Sequence, residues 1–506
     1  MDVTTTEGQT GARESFWARL AERFGERLNP LVVKEVRQGG RSRVFWACFW
    51  LMLLCCFLIA LSAWSTTSED GGLAPQGRQF FFLFFSCLGV VHFFIIPYSA
   101  YRSLVSERED ETWVLLLLTG LGPRRILRGK VMSFLVQAGL YASAAGPFLL
   151  LSYYLNGIDL LILLTVLALG GCWLVFLTVA AVCAATLAEG KMGRALVHFA
   201  LLGALGLGLI YALVSAYALS EEGFRIFRRE QGLRIFAGLF LWMMLTGGWV
   251  LFETAAARLS LPTENYTRAP RLALVLQTLS TGLLLVVGWC LLEPAQGADT
   301  ASILGCVYLT GCGLMLATDA DGQARTLRAA TRPGSLLRPG AVRGFRLAVL
   351  LLLFWGGVTG LLHGLAVQGG FLSVSSYYGV GERLLGVLAP PVYALLYLSL
   401  PVWLSRLSAS SAFSAPASVR SLFLLLVILG GLVPPLLAVL VGQRGSYPLF
   451  NLFSPFAGLN NFLRGESGPE TELDGTQLAC VALVAGLFVF LADRALVAHE
   501  RRAHAS

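Results

Sequence analysis

Residues 44–64 have the sequence VFWACFWLMLLCCFLIALSAW, without a single Asp, Glu, Lys or Arg. The runs 80–101, 272–292 and 384–404 are similarly long and equally free of these four residue types. A helix of about 20 residues, rising 1.5 Å per residue, spans the roughly 30 Å hydrocarbon core of a bilayer. The alternative membrane structure, a closed barrel, is built from short alternating segments. The runs therefore predict membrane-spanning helices.

The composition extends this prediction to the whole chain. Of the 506 residues, 56% are hydrophobic and only 13% are charged, whereas soluble globular proteins carry about 25% charged residues. The net charge is +8, but Lys and Arg lie in short stretches between apolar runs, as cytoplasmic loops require. A nucleic-acid surface would need clustered basic residues on a soluble domain. We therefore expect contact with membrane lipids and no nucleic-acid partner.

The alternation of basic and acidic connections predicts the topology. Eight basic residues precede the first apolar run, which predicts a cytoplasmic N-terminus. The connection 220–234 contains four arginines where an outside loop is expected, and it is the exception to the pattern. We predict an all-α polytopic transmembrane helix bundle of about 12 spans with both termini in the cytoplasm. The predicted spans are 44–64, 80–101, 131–155, 158–187, 195–219, 235–257, 272–292, 301–318, 347–367, 384–404, 422–441 and 477–497.

Three regions follow from this division. Residues 1–43 form a cytoplasmic N-terminal region, in which apolar residues at helical spacing and arginines on another face predict an amphipathic, interfacial helix. Asn29-Pro30 is a typical start for a further connecting helix, with Asn as cap and Pro at the first helical position. Residues 44–262 form a six-span core, and residues 263–506 form a second six-span bundle.

Enzyme motifs are missing from the sequence. It has no phosphate-cradling Gly-x-x-x-x-Gly-Lys-Ser/Thr loop, no Gly-x-Ser-x-Gly elbow and no His-Glu-x-x-His pair. The ten cysteines all lie in apolar runs and form no Cys-x-x-Cys pair, which is typical of cysteines that pack as small hydrophobic residues. We therefore expect no catalytic residue, no metal site and no cofactor bound by this chain.

The connection after the second predicted span has an unusual sequence. Residues 106–130 read SEREDETWVLLLLTGLGPRRILRGK. A charged cluster precedes Thr112, a good helix cap, and the apolar run Trp113–Leu118 is too short to cross a bilayer. A short capped helix with an apolar face on the cytoplasmic side suits docking in a partner's groove. From the pattern alone, a helix that merely anchors the loop in the lipid surface is an equal alternative.

The same segment resembles the signature of the membrane-spanning permeases of the type-2 ATP-binding-cassette exporter family, approximately E-R-E-x-G-T-x-E-L-L-L-x-T-P-x-S-P-x-x-I-x-x-G-K. This chain departs from the signature at Glu111, Val114 and Gly120, which replace the usual Gly, Glu and Pro. The matching residues are Glu107, Arg108, Glu109, Thr112, Leu115, Leu116, Leu117, Thr119, Pro123, Ile126, Gly129 and Lys130.

The resemblance covers roughly residues 15–262 and implies a transport role without ATPase activity in this chain. It implies that a coupling helix at 107–118 contacts a separate cytosolic ATPase subunit, which binds ATP and Mg. The residues that the resemblance assigns to this contact are Glu107, Arg108, Glu109, Thr112, Leu115, Leu116, Leu117, Thr119 and Lys130. The expected location is the bacterial cytoplasmic (inner) membrane.

The second half of the chain has no copy of the coupling signature. Only the short stretch Asn451–Leu459 is similar to the outer re-entrant segment of the family. Two interpretations stay open: residues 263–506 are an accessory bundle, or the chain forms a homodimer or pairs with a second permease so that two coupling helices meet two ATPase subunits.

Few polar residues lie at membrane depth, and those that do are candidates for the substrate path. They are His92, Gln137, Tyr141 and His198; the resemblance implies that the second and fifth spans line this path. The alternative for His92 is a structural role, in which a neutral imidazole is hydrogen-bonded to a neighbouring helix. This is the commoner case. Gly203, Gly206 and Gly208 favour close helix packing in the fifth span.

We therefore expect the permease subunit of an ATP-driven exporter, with an unidentified substrate. The first alternative is a secondary transporter driven by an ion gradient, which would need acidic pairs near mid-bilayer and broken helices. The second alternative is a membrane-embedded, lipid-modifying enzyme, which would need a polar catalytic cluster at the interface. The sequence shows neither feature.

Overall fold

A computed structural model describes residues 30–69, 77–109, 122–187, 191–225, 231–260, 265–292, 298–319, 336–368, 380–407, 415–440, 451–464 and 475–505. It divides the chain into two compact units. The first unit contains residues 1–234 and 240–260, and the second contains residues 235–239 and 261–506. The described part of the chain is 92% helical and contains no strand.

The helices follow one another without any sheet between them. Their bounds in chain order are α1 (Pro30–Gly40), α2 (Arg43–Glu69), α3 (Gly77–Gly89), a π-helical turn (Val90–Ile95), α4 (Ile96–Glu109), α5 (Pro123–Tyr154), α6 (Leu160–Leu187), α7 (Lys191–Glu222), α8 (Gln231–Leu259), α9 (Arg268–Leu292), α10 (Ala298–Ala317), α11 (Ala341–Gln368), α12 (Val380–Leu407), α13 (Pro416–Leu440), α14 (Ala457–Arg464) and α15 (Gly475–Ala505).

Within the described ranges, twelve helical segments are long and apolar enough to cross a membrane. The predicted fold class, a polytopic bundle of about 12 spans, is confirmed. Span ends differ from the prediction. The second span continues as one helical segment from Gly77 to Glu109, and the third begins at Pro123. Charged residues beyond the hydrocarbon core are still helical there, because a helix satisfies its own backbone in water as well as in lipid.

The first span shows the surface expected of a helix facing lipid. Its side chains Trp50, Leu51, Leu54, Phe57 and Leu58 are all more than half exposed. A soluble monomer rarely exposes an apolar patch of this size, because the exposed area would drive association in water. The chain is therefore a multi-pass membrane protein.

The first unit has a sharp turn that closes the hairpin between α5 and α6. Asn156 and Gly157 both have positive φ, 59° and 102°, which a short polar residue and glycine tolerate. The carbonyl of Asn156 accepts a hydrogen bond of 2.7 Å from the amide of Gly77 at the start of α3. A methyl group built on Gly77 would lie 2.0 Å from that carbonyl oxygen. Only glycine allows α3 to approach the turn this closely.

The second unit is held by a buried arginine in α9. Nη2 of Arg271 lies 2.8 Å from Oδ2 of Asp319, and its side chain is fully buried. The guanidinium also donates hydrogen bonds to the carbonyls of Leu336 at 2.8 Å and Gly340 at 3.1 Å. Arg271 therefore fixes the chain on both sides of the connection between α10 and α11.

Two tyrosines of α12 hold the stretch before α14 in the same unit. The hydroxyl of Tyr393 donates to the carbonyl of Leu452, and that of Tyr397 donates to the carbonyl of Phe453 at 2.8 Å. The buried hydroxyl of Ser454 then accepts a 3.2 Å bond from the amide of Ala457. This bond caps the first turn of α14.

Candidate functional site

A fully buried lysine in the first unit contacts three partners from two other helices. Nζ of Lys130, in α5, lies 2.7 Å from Oε1 of Glu107 in α4 and 3.4 Å from Oε1 of Glu35 in α1. It also donates a 2.9 Å hydrogen bond to Oγ of Ser103 in α4. The three protons of the ammonium therefore all have acceptors. We call Glu35, Ser103, Glu107 and Lys130 the lysine cluster.

Local helix geometry explains why the cluster forms. Ser103 and Glu107 are four residues apart in α4, so their side chains project from the same face. Lys130 lies two turns into α5, and α1 packs against α5. Lys130 was predicted to contact a partner protein. In the structure its side chain is fully buried and contacts Glu107, Glu35 and Ser103; the predicted contact with a partner stays a prediction.

The neighbours of Glu107 connect α4 to two further helices. Nη1 of Arg108 donates a 2.9 Å hydrogen bond to the carbonyl of Ala185, in the last turn of α6. Oε1 of Glu109 lies 2.8 Å from Nη1 of Arg194 near the start of α7. Residues 107–109 form the last turn of α4, so this part of the predicted coupling helix belongs to the second span's helical segment.

The remaining predicted coupling residues lie outside the described part of the chain. These are Thr112, Leu115, Leu116, Leu117 and Thr119. The structure fixes both flanks of this segment, Glu107 before it and Lys130 after it, and brings them into one ion pair.

A cavity of about 480 Å³ lies beside the cluster. Its walls come from α1, the start of α2, the π-helical turn with α4, and α5. Three predicted residues line it: Glu107, Gln137 and Tyr141. This volume lies in the usual range of small-molecule sites, about 300–1,000 Å³. Sequence reasoning selected Gln137 and Tyr141 for their polarity at membrane depth, and the structure places them in one site with Glu107.

Gln137 and Tyr141 are one helical turn apart in α5 and behave differently. The buried hydroxyl of Tyr141 donates a 2.9 Å hydrogen bond to the carbonyl of Phe45, and their rings pack with centroids 5.0 Å apart. Gln137 is 7% exposed, and its amide has no hydrogen-bond partner among the described residues. Neither amide atom is among the fully buried polar atoms without a partner, so the amide contacts the open volume of the cavity.

The two histidines lie elsewhere in the first unit. Nδ1 of His92, in the π-helical turn, is 3.0 Å from the carbonyl of Leu88, which accepts the bond when Nδ1 carries the hydrogen. The accepting carbonyl lies four residues earlier in the same helical segment, so this bond comes from within the second span. The ring of His198 packs against Tyr98 and Tyr101 with centroids 5.6 Å and 5.7 Å away. Neither histidine lines the cavity.

Sequence reasoning missed Glu35, Ser103 and Glu253. Nη2 of Arg124, in the first turns of α5, lies 2.9 Å from Oε2 of Glu253 in α8. A signal for Glu253 existed, because it is the only carboxylate in the predicted sixth span, and ionisable residues in spans call for a functional hypothesis. The pair Lys34-Glu35 resembles part of the family's N-terminal connecting helix, but that pattern does not mark Glu35 as a partner of Lys130. Within the described ranges, no group of three or more His, Cys, Asp or Glu residues is placed to hold a metal ion.

Comparisons of the chain with protein-family models, with curated proteins and with solved structures give no significant match. The arguments that follow therefore use this chain's own residues and the resemblance of segment 106–130.

Proposed function

We propose that the chain is the membrane-spanning permease subunit of an ATP-driven exporter in a bacterial cytoplasmic membrane. A separate cytosolic ATPase of the ATP-binding-cassette class would bind ATP and Mg and dock on segment 107–118. The observation that carries the proposal is the ion pair between Glu107 and Lys130, with Nζ and Oε1 2.7 Å apart. This ion pair joins α4, which precedes the undescribed part of the docking segment, to α5, which follows it.

This connection explains how a force on the segment would reach the transport path. The ammonium of Lys130 also binds Glu35, so the ends of α4 and α5 are fixed to α1. The same three helices wall the cavity. A displacement of the docking segment would move them together, as in rigid-body switching, and would change the shape of the cavity.

Two further contacts connect α4 to two additional helices. Arg108 binds the end of α6, and Glu109 binds the start of α7. The charged residues of the signature therefore hold this chain's own helices together. This leaves the apolar run Trp113–Leu118, known here only from the sequence, as the surface for the ATPase. Short apolar helices of this kind dock in grooves of partner proteins.

The test is co-purification with the ATPase expressed beside the chain. Changing Leu116 and Leu117 together to Asp should remove the ATPase from the purified complex, because each change places an unpaired charge in an apolar contact. The matched control is Glu221→Gln, which removes an ion pair with Arg78 outside the docking segment. Since these side chains are 45% and 46% exposed, the loss is about 0–1 kcal/mol, and the control should keep its ATPase.

Both variants are compared only after membrane insertion and monodispersity have been verified. A double Asp variant that retains the ATPase at wild-type stoichiometry and still supports export would contradict the proposal. The lipid-anchoring alternative for this segment predicts that result, with at most a small loss of expression.

A further inference from the structure

The cavity beside the lysine cluster has an unbalanced buried charge. Glu35 and Glu107 contribute two carboxylates, while Lys130 contributes one ammonium. The two carboxylate side chains are only 10% and 20% exposed, and both residues line the cavity. Lys34 also lines the cavity but is exposed, so water and salt screen its charge. The described contacts of this part of the wall therefore contain two carboxylates and one buried ammonium.

An independent feature of the same wall is the amide of Gln137. It is more than nine-tenths buried, it lines the cavity, and no described residue bonds to it. Its Oε1 atom is thus a free acceptor at the cavity surface. Ser99, in α4, also lines the cavity, and its hydroxyl has no partner in the described ranges either. Together these groups offer hydrogen-bond acceptors, and also donors, that have no partner among the described residues.

Apolar and aromatic residues line other parts of the wall, beside the polar residues Gln38, Ser42 and Ser106. Phe45, Phe134 and Tyr141 present rings to the cavity, and Ile95 and Ile96 close another side. Aromatic faces attract cations through their quadrupole, and they also bury the hydrocarbon part of a ligand. An anionic ligand would meet the carboxylates of Glu35 and Glu107 and would be repelled.

From these observations we propose that the cavity binds a small organic ammonium ion with an apolar body. The ammonium lies against the carboxylates and donates a hydrogen bond to Oε1 of Gln137, while the apolar body packs against the rings. Charge-assisted hydrogen bonds of this type are the strong ones. The site requires only the first unit of this chain, so it does not depend on the proposed ATPase.

Three isosteric probes test the charge preference: 2-phenylethylammonium, 2-phenylethanol and phenylacetate. Each is titrated calorimetrically into the full chain in lipid nanodiscs, and the heat from empty nanodiscs is subtracted. The ammonium should bind one saturable site. The alcohol should bind at least about tenfold more weakly, because hydrogen bonds to charged groups are the stronger ones, and the acid should not bind. Equal affinity for the ammonium and the alcohol, or no saturable binding, would overturn the proposal.

Variants of Gln137 test the predicted acceptor. Gln137→Leu should weaken ammonium binding about tenfold, the usual effect of losing one hydrogen bond to a charged group. Gln137→Glu adds a carboxylate and should strengthen it. Lys34→Met should also strengthen binding slightly, because a repelling charge is removed. Unchanged affinity in both Gln137 variants would show that the amide does not touch the ligand and would refute the geometry.

Neighbouring glycines in α1 provide a matched pair that leaves the lining side chains intact. A methyl group on Gly39 would lie 2.4 Å from Nε2 of Gln137, whereas one on Gly40 would meet nothing within 4 Å. Gly39→Ala should therefore displace the amide and weaken binding, and Gly40→Ala should not. Equal binding by the two variants would count against the site. Since the purified chain is used without ATPase, failure here leaves the docking proposal intact, and failure of docking leaves this site intact.

Discussion

Replacing Lys130 with methionine isolates the contribution of the lysine cluster. The substitution keeps a long, unbranched side chain of similar reach but removes the ammonium. Glu35 and Glu107 would then remain in the site without the charge they share, 3.4 Å and 2.7 Å from the present Nζ. Lys130 is fully buried, so the methionine side chain would fill its place and leave no ammonium for the two carboxylates.

The expected loss of stability follows from these distances. At an effective dielectric constant of about 20, the two attractions amount to about 5 and 6 kcal/mol before the cost of burying the charges. That burial cost offsets most of the gain, but removing one partner from a buried pair still costs about 3–5 kcal/mol. At about 2 °C per kcal/mol for a folded body of this size, the melting temperature should fall by roughly 6–10 °C.

Thermal unfolding of the purified protein in nanodiscs, followed by intrinsic fluorescence, measures this loss. Lys34→Met is the matched control, because Lys34 is exposed and such surface changes usually stay within about 0.5 kcal/mol. The triple variant with Lys130→Met, Glu35→Gln and Glu107→Gln should recover most of the stability, because no charge is left buried without a partner. A Lys130→Met variant as stable as the control would refute the claim that the lysine cluster stabilises the fold.

Three other predictions concern packing and topology. Arg271→Met should destabilise the second unit by about 3–5 kcal/mol in thermal unfolding, because Asp319 loses a buried partner; a wild-type melting temperature would contradict this. Gly77→Ala should lower the free energy of unfolding by about 1–3 kcal/mol, because the added methyl group overpacks the turn. In the control Gly139→Ala, the methyl group meets nothing within 4 Å, so stability should be unchanged or slightly higher. Equal stability of the two variants would contradict the close approach at Gly77. A cysteine at Thr67 should label from outside intact cells, and one at Gly322 only after permeabilisation; labelling of the second without permeabilisation would overturn the predicted orientation.

The sequence was sufficient for the fold class because span length and hydrophobicity are set by the bilayer. It was less informative about where spans end. The helical segment of the second span continues past the predicted Tyr101 to Glu109, and the third begins at Pro123, before the predicted Val131. Apolar content marks only the part of a helix that lies in lipid, and charged residues continue the same helix outside it.

The site was partly predictable for a similar reason. Glu107, Gln137 and Tyr141 were selected from their polarity or from the coupling signature, and the cavity brings them together. The contact between Lys130 and Glu35 joins residues 95 positions apart. Such a pair depends on how α1 packs against α4 and α5, which no local pattern encodes. The free acceptor on Gln137 likewise becomes visible only once its neighbours are known.

The central claim, docking of an ATPase on segment 107–118, is tested most directly by photo-crosslinking in intact membranes. A benzophenone amino acid is placed at position 116, and the comparison variant carries it at Leu54, which is exposed on the first span. The account predicts a protein adduct at 116 that contains an ATP-binding-cassette ATPase with a phosphate-binding loop, and only lipid adducts at 54. Lipid adducts alone at both positions would contradict it.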